Sequence, residues 1–204
     1  MIIQDCLNVI QGSEEWKKAR LGYVSASNVD AVMAKGKGVS RRNYLVKVVA
    51  ERLSNEIGES YSNSAMEWGV KTEPLARIAY EVSHGTLVEQ IGFYKHPTIQ
   101  WVGVSPDGLV GEDGLVEIKC PNTTTHIDYI DNGKVPTEYY KQIQCQLWVT
   151  GRQWCDFISF DPRIKRELFV IRANRDEDLI KEMEAEVLLF LEDAQKLYER
   201  LNNE

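Results

Sequence analysis

Residues 105–120 read SPDGLVGEDGLVEIKC: an Asp-Gly turn, a short strand, a second turn at Glu112-Asp113-Gly114, and another strand. In the second strand Glu117 and Lys119 interrupt the apolar run Leu115, Val116, Ile118. Side chains alternate along a strand, so Glu117 and Lys119 share one face while Ile118 takes the other. On one reading the two form a solvated cross-strand pair and Asp107-Gly108 is only a turn. On the other, Asp107 sits where the hairpin begins and its carboxylate converges with that of Glu117. Two hard carboxylates and a backbone carbonyl, here that of Ile118, make a partial oxygen cage for Mg²⁺. Lys119 then lies where it can help activate water or hold a scissile phosphate in line. The pattern is P-D-x₉-E-x-K, which suits a metal-dependent phosphodiesterase. Chance produces it in about one chain in fifteen, so the rest of the chain must decide between the readings.

Outward from this hairpin, the 204 residues suit one domain, 1–204, with an ordinary soluble composition of 43% hydrophobic and 27% charged residues. No apolar run approaches the ~20 residues of a membrane span. The start, MIIQDCLNVIQGSEEW, has neither a basic n-region nor a long apolar h-region, so no signal peptide is expected. Cys6, Cys120, Cys145 and Cys155 are widely spaced and read as free cytosolic thiols. With His84, His96 and His126 they form no zinc pattern, which excludes a zinc hydrolase. A net charge of -7 argues against a non-specific polycation, yet acid clusters are what a divalent-metal site requires.

Helix signals come first: SEEWKKARLG with Ser13 as N-cap and Gly22 as stop, then SASNVDAVMAKG, then RRNYLVKVVAERL. SAMEWGVKTEPLARIAYEVSHG is helical on both sides of Pro74, which either opens a new helix or kinks one, with Glu73 at the join. TLVEQIGFYKH, IQWVGVS and GLVEIK read as strands. TTTHIDYIDNG and PTEYYKQIQCQLWVTG read as helices stopped by Gly133 and Gly151, followed by the strands WCDFISF and ELFVIRA around the charged turn DPRIKR. The tail is a long amphipathic helix with a stripe from Leu179 to Leu201. Helices at both ends with strands between them suggest an α/β or α+β domain, a central sheet flanked by helices.

Three further segments bear on the site. Tyr139, Gln142 and Gln146 follow helical steps and form one polar stripe on an otherwise well-packed helix, where glutamines usually face solvent. Arg20 lies just ahead of a helix whose first turn offers Ser25 and Ser27; backbone N–H groups, hydroxyls and a guanidinium suit a terminal phosphate, or make an ordinary cap beside a surface arginine. Lys35, Lys37, Arg41 and Arg42 load one loop with positive charge, and Arg163, Lys165 and Arg166 load a turn. Both are either solvated surface or phosphate-backbone contacts.

Taken in order, ARLGYVSAS, EWGVKTEPLA, SPDGL, LVEIKCP, YYKQIQCQLWVT and SFDPRIKREL make the chain resemble the phage lambda-type alkaline exonucleases, of the YqaJ-like viral recombinase group in the PD-(D/E)xK nuclease superfamily. The resemblance implies a restriction-endonuclease-like core and a Mg²⁺-dependent exonuclease, with Mn²⁺ as a substitute. Such an enzyme degrades one strand of linear duplex DNA from its 5′ end and leaves a 3′ single strand for recombination. Asp107, Glu117 and the Ile118 carbonyl then hold the metal, with Glu73 serving the same site. Lys119 is the catalytic lysine, and Gln142 and Tyr139 position water or phosphate. Arg20, Ser27 and Ser105 match positions that grip the 5′-phosphate. The resemblance further implies a trimeric ring that threads DNA ends, a single-strand annealing protein as partner, no membrane, and the cytoplasm of a bacterial host. The competing functions are an endonuclease of the same superfamily and a non-catalytic DNA-binding module.

Overall fold

The computed structural model describes residues 8–34, 38–58 and 63–202. Lys35, Lys37 and Cys6 lie outside them. Helix α1 (Glu14–Ala19) begins as expected at Ser13, whose hydroxyl accepts from the Trp16 amide. Its first turn carries Glu14 and Glu15 and its last turn Lys17 and Lys18, the polarity that a helix dipole favours. Strand β1 (Val24–Ser25) and a 3-10 turn (Ala26–Asn28) lead into α2 (Val29–Met33) and α3 (Val39–Ser54).

Pro74 neither starts nor ends a helix. Helix α4 runs unbroken from Ser64 to His84, capped by the Asn63 side chain at one end and by Gly85 in the left-handed region at the other. Pro74 cannot donate to the Val70 carbonyl. Both residues are exposed, so solvent can satisfy that carbonyl and the helix passes through.

The strand-rich middle forms two sheets where one was expected. In the first, β3 (Val102–Val104) pairs with β1 in parallel and with β2 (Tyr94–Lys95) antiparallel. The second has the order β4-β5-β6-β7, from β4 (Gly108–Val110), β5 (Gly114–Lys119), β6 (Trp154–Phe160) and β7 (Leu168–Asn174). The segment read as one strand, residues 86–96, is shared between them. Glu89 bridges Leu109 in the second sheet, and Tyr94 and Lys95 pair with β3 in the first.

Strands β5 and β6 are parallel, so the chain must cross over between them, and α5 (Thr123–Asn132) and α6 (Thr137–Thr150) form that crossover. Helix α6 becomes a central layer. Ile143 and Leu147 pack on Leu115 and Phe157 of the sheet, while Cys145, Trp148 and Val149 face a second core made with α2, α3 and α7 (Glu177–Asn202). Helix α4 covers the opposite face of the sheet, where Ala76 and Tyr80 meet Val116, Ile118 and Ile158. Burial on both sides explains why α6 glutamines are not solvent-facing: Gln144 is 0% exposed and bonds the Asn174 carbonyl and the Asp176 amide at the start of α7. The described cysteines Cys120, Cys145 and Cys155 are free thiols, as their spacing suggests.

Gly108, the residue after Asp107, has no room for a side chain. A Cβ there would lie 2.1 Å from Val88 Cγ1 and 3.3 Å from the Glu89 carbonyl oxygen. Val88 is buried and β-branched, so it cannot swing aside. Gly108→Ala should therefore destabilise the fold by about 1–3 kcal/mol, as denaturant unfolding would measure.

Candidate active site

The register of the hairpin answers the question posed by Glu117. Gly108 pairs with Val116, which sets Asp107 beside Glu117 at the open end of β4. The β5 face carrying Leu115, Glu117 and Lys119 turns toward α6, not toward water, and Glu117 is only 1% exposed. One turn apart on α6, Gln142 and Gln146 reach down to it. Gln142 Nε2 donates to Oε1 at 2.6 Å, and Gln146 Nε2 donates to Oε2 at 2.7 Å. The Lys119 ammonium closes the set, 2.6 Å from Oε1, and lies 4.9 Å from the centroid of the Tyr139 ring. Tyr139 is itself stacked on Phe157 of β6.

Asp107 Oδ2 accepts the Ile118 amide at 2.7 Å. The N–H and C=O of one strand residue point to the same edge. The Ile118 carbonyl therefore faces the edge where β4 has ended and Asp107 stands. Glu73 enters from α4 and lines the same cleft, with Arg77 Nη2 at 2.6 Å from its Oε1.

These neighbours shift the titrations. Burial, then the negative charge of Glu117, push the Asp107 carboxyl well above the usual range, against Lys119 and the Ile118 amide. Burial alone would lower Lys119, but the Glu117 and Asp107 charges override it and hold the ammonium protonated. Burial raises Glu73, opposed by Arg77 and Lys119. Two adjacent carboxylates facing one ammonium leave a formal excess of one negative charge, which a divalent cation would neutralise.

The donors fit a hard cation. Asp107 Oδ1 accepts no hydrogen bond from the described residues, Glu117 Oε2 has only Gln146, and the Ile118 carbonyl is a third oxygen. Among the described residues no three acids, histidines or cysteines converge into a complete cage. An oxygen set completed by water or substrate is how Mg²⁺ is usually held. Glu73 stands next to that set in the same cleft, with Arg77 bonded to its Oε1.

Glu73, Asp107, Lys119, Tyr139, Trp68 and Arg163 line a cleft of about 790 Å³. Arg163 grips Asp161 at 2.6 Å and lies over the Trp68 ring at 4.5 Å, while Lys165 and Arg166 stand exposed on the same turn. A second cleft of about 300 Å³ is walled by Trp16, Arg20, Tyr23, Ser25, Asn28 and Tyr44. The Arg20 guanidinium stacks 3.9 Å above Trp16, whose indole N–H donates to Ser105 Oγ at 3.0 Å. Arg20 and Ser105 are thus joined through one tryptophan, two residues from Asp107. Ser27 lies 3.3 Å from Ser25 Oγ, but Ser25 and Asn28, not Ser27, form the wall. Arg41 is paired with Asp193 at 2.9 Å and Arg42 is exposed. Gln146 belongs to the polar stripe with Tyr139 and Gln142 that the helical spacing marks, whereas Arg77, Trp68 and Trp16 carry no such mark. The four-residue steps Glu73–Arg77 and Trp16–Arg20 were the available signal.

A mixed sheet between helices, with two carboxylates and a lysine at a strand's open edge, defines a restriction-endonuclease-like nuclease. The chain belongs to the YqaJ-like viral recombinase domain family, whose model matches residues 15–153. It is similar to LHK-Exo, an alkaline exonuclease from Laribacter hongkongensis, at 47% identity over 94% of this chain and 97% of that one, with a TM-score of 0.86. The same enzyme in complex with dAMP superposes at a TM-score of 0.88. These matches bear out the resemblance to lambda-type alkaline exonucleases. A phage-related exonuclease from Haemophilus somnus 129PT shares the fold at 16% identity over 89% of this chain and 95% of that one, with a TM-score of 0.66. An uncharacterised protein, R354, of Acanthamoeba polyphaga mimivirus is 23% identical over 162 residues, 73% of this chain; the chain spans 29% of that relative's length.

Replacing Asp107 by Asn keeps an acceptor for the Ile118 amide and removes one of two crowded negative charges. Asp107→Asn is therefore expected to raise the melting temperature in EDTA by a few degrees while abolishing nuclease activity. Differential scanning calorimetry and a DNA digestion assay would check the pair of effects.

Proposed function

We propose that the protein is a Mg²⁺-dependent exodeoxyribonuclease that digests one strand of linear duplex DNA from the 5′ end to mononucleotides. The remaining 3′ single strand then enters recombination by annealing. The observation carrying this reading is the meeting of Asp107, Glu117 and Lys119 at one cleft. The crystallised complex of the 47%-identical LHK-Exo with dAMP, a deoxynucleoside monophosphate, agrees with mononucleotide release.

Asp107, Glu117 and the Ile118 carbonyl would hold Mg²⁺, or Mn²⁺ in its place. When bound, the ion polarises the scissile phosphate and eases deprotonation of the attacking water. Lys119 would orient water or offset charge on the phosphate. Gln142 and Gln146 fix the Glu117 carboxylate, and Tyr139 packs beneath the ammonium. Water adds to phosphorus, the P–O3′ bond breaks, and the 3′ oxygen leaves with a proton. The released nucleotide keeps its 5′-phosphate, and the shortened strand gains a new one.

That product feeds the second cleft. Arg20 with Ser27 and Ser105 would grip the terminal 5′-phosphate, and each turnover regenerates the group they bind. A homotrimeric ring around DNA and a single-strand annealing partner complete the reading: an acidic chain needs basic character only along its DNA path. Among the described residues no helix is long and apolar enough to cross a membrane.

Linear and covalently closed duplex should separate this reading from its nearest rival. Mononucleotides from linear DNA with circles left intact are expected; nicked circles would instead indicate an endonuclease. A 5′-phosphorylated end should be digested faster than a 5′-hydroxyl end, and Arg20→Gln should erase the difference. Equal rates for the wild-type protein on both ends would remove the anchoring role.

A further inference from the structure

Between the first turns of α3 and the last turns of α7 lies a cleft of about 360 Å³. Arg41, Arg42, Lys196 and Arg200 surround a floor of Leu45 and Leu197, with Asp193 as the one carboxylate. Four cations against one anion give a formal excess of +3, in a chain whose net charge is -7. Asp193 is already engaged, 2.9 Å from Arg41, whose guanidinium also lies over Phe190. Lys196 has Glu192 at 3.8 Å, but both side chains are well exposed and such a pair contributes little. Arg42 and Arg200 have no carboxylate partner among the described residues.

We propose that this cleft is a second DNA site, which takes backbone phosphates of the duplex beyond the position being cut; the inference rests on the nuclease reading above. Crowding four cations onto one patch costs repulsion that Asp193 and Glu192 offset only in part, whereas a polyanion would reverse its sign. The apolar floor weakens solvent screening and strengthens attraction to phosphate. Position favours DNA as the anion. Helix α3 walls both this cleft and the Arg20 cleft, which it lines with Tyr44, Lys47 and Glu51. A helix with its side chains is about 10–12 Å across, roughly three rises of ~3.4 Å along a DNA strand. A duplex whose terminal phosphate rests at Arg20 would therefore carry further phosphates within reach of Arg42 and Arg200. Arg41 and Arg42 were legible as basic in the sequence; Lys196 and Arg200 join them only through the packing of α7 on α3.

The test is binding of a short 5′-phosphorylated linear duplex, followed by fluorescence anisotropy in Ca²⁺ over a range of salt. The wild-type protein is compared with Arg42→Glu/Arg200→Glu and, separately, Lys196→Glu. For the double variant we expect at least about a tenfold loss of affinity and a salt slope shallower by about 2, near 0.9 for each phosphate no longer neutralised. Lys196→Glu should shift both in the same direction by about half as much. Wild-type affinity and slope in folded variants would overturn the site. So would unchanged DNA affinity with an altered mass by light scattering, which would give the cleft to a second copy of the chain. Digestion of linear DNA by the wild-type protein is scored separately. Its failure would sink the exonuclease reading, while a reduced salt slope in the variants would still support the cleft.

Discussion

The Glu117 carboxylate, buried and held by three donors, is the constraint around which the rest of the protein is arranged. Removing a carboxylate from water costs several kcal/mol unless its lone pairs are satisfied, so it must arrive with its partners. Lys119 comes with it on the same strand face. Gln142 and Gln146 come from α6, and they can do so only because the crossover between β5 and β6 lays that helix over the strand. The helix is anchored from both sides, on the sheet through Ile143 and Leu147 and on the helical layer through Cys145, Trp148 and Val149. Two independent cores therefore hold one carboxylate in one orientation. Gln146 shows the cost: its Oε1 is buried without a hydrogen-bond partner, while its Nε2 is committed to Glu117. A site tuned for stability alone would not leave that acceptor empty.

Asp107 extends the same logic in the opposite direction. Burial, and then the neighbouring charge of Glu117, push its carboxyl well above the usual range in the protein by itself. The fold secures the position by other means, through the Ile118 amide and through Gly108, which lets the Val88–Glu89 segment cross close by. Strain of this kind is stored where a ligand can relieve it, and a cation shared by the two acids would do so. Glu73 adds to that repulsion from α4, although Arg77 beside it offsets part of its charge.

How much of this was readable in advance depended on whether the cause was local. Helix ends were local: Ser13, Gly133 and Gly151 mark boundaries because caps and left-handed turns are written in one or two residues. The shared face of Glu117 and Lys119 was local too, because strand parity needs no partner. Which way that face pointed was not, since it depends on where a crossover lays a helix thirty residues later in the chain. For the same reason the division into two sheets was invisible. Residues 86–96 have strand character throughout, yet one end pairs with β4 and the other with β3. Pro74 does not divide the helix because the Val70 carbonyl it leaves without a donor belongs to an exposed turn that solvent can reach.

An acidic protein that handles a polyanion must gather its cations locally, as the cleft between α3 and α7 does although α7 itself carries more acids than bases. The acids of the catalytic cleft sit at the sheet edge under α6, where burial concentrates their field on whatever cation they share. The free arginines stand on helices of the other layer, α3 and α7, and on the exposed turn after β6. DNA bound as proposed would meet these local cations away from the acids of the cleft. Repulsion between the phosphate backbone and Asp107 and Glu117 would then be offset by contacts made elsewhere on the duplex. Cleavage would depend on occupancy of the metal between the acids, because without it the last few ångströms of approach remain uphill.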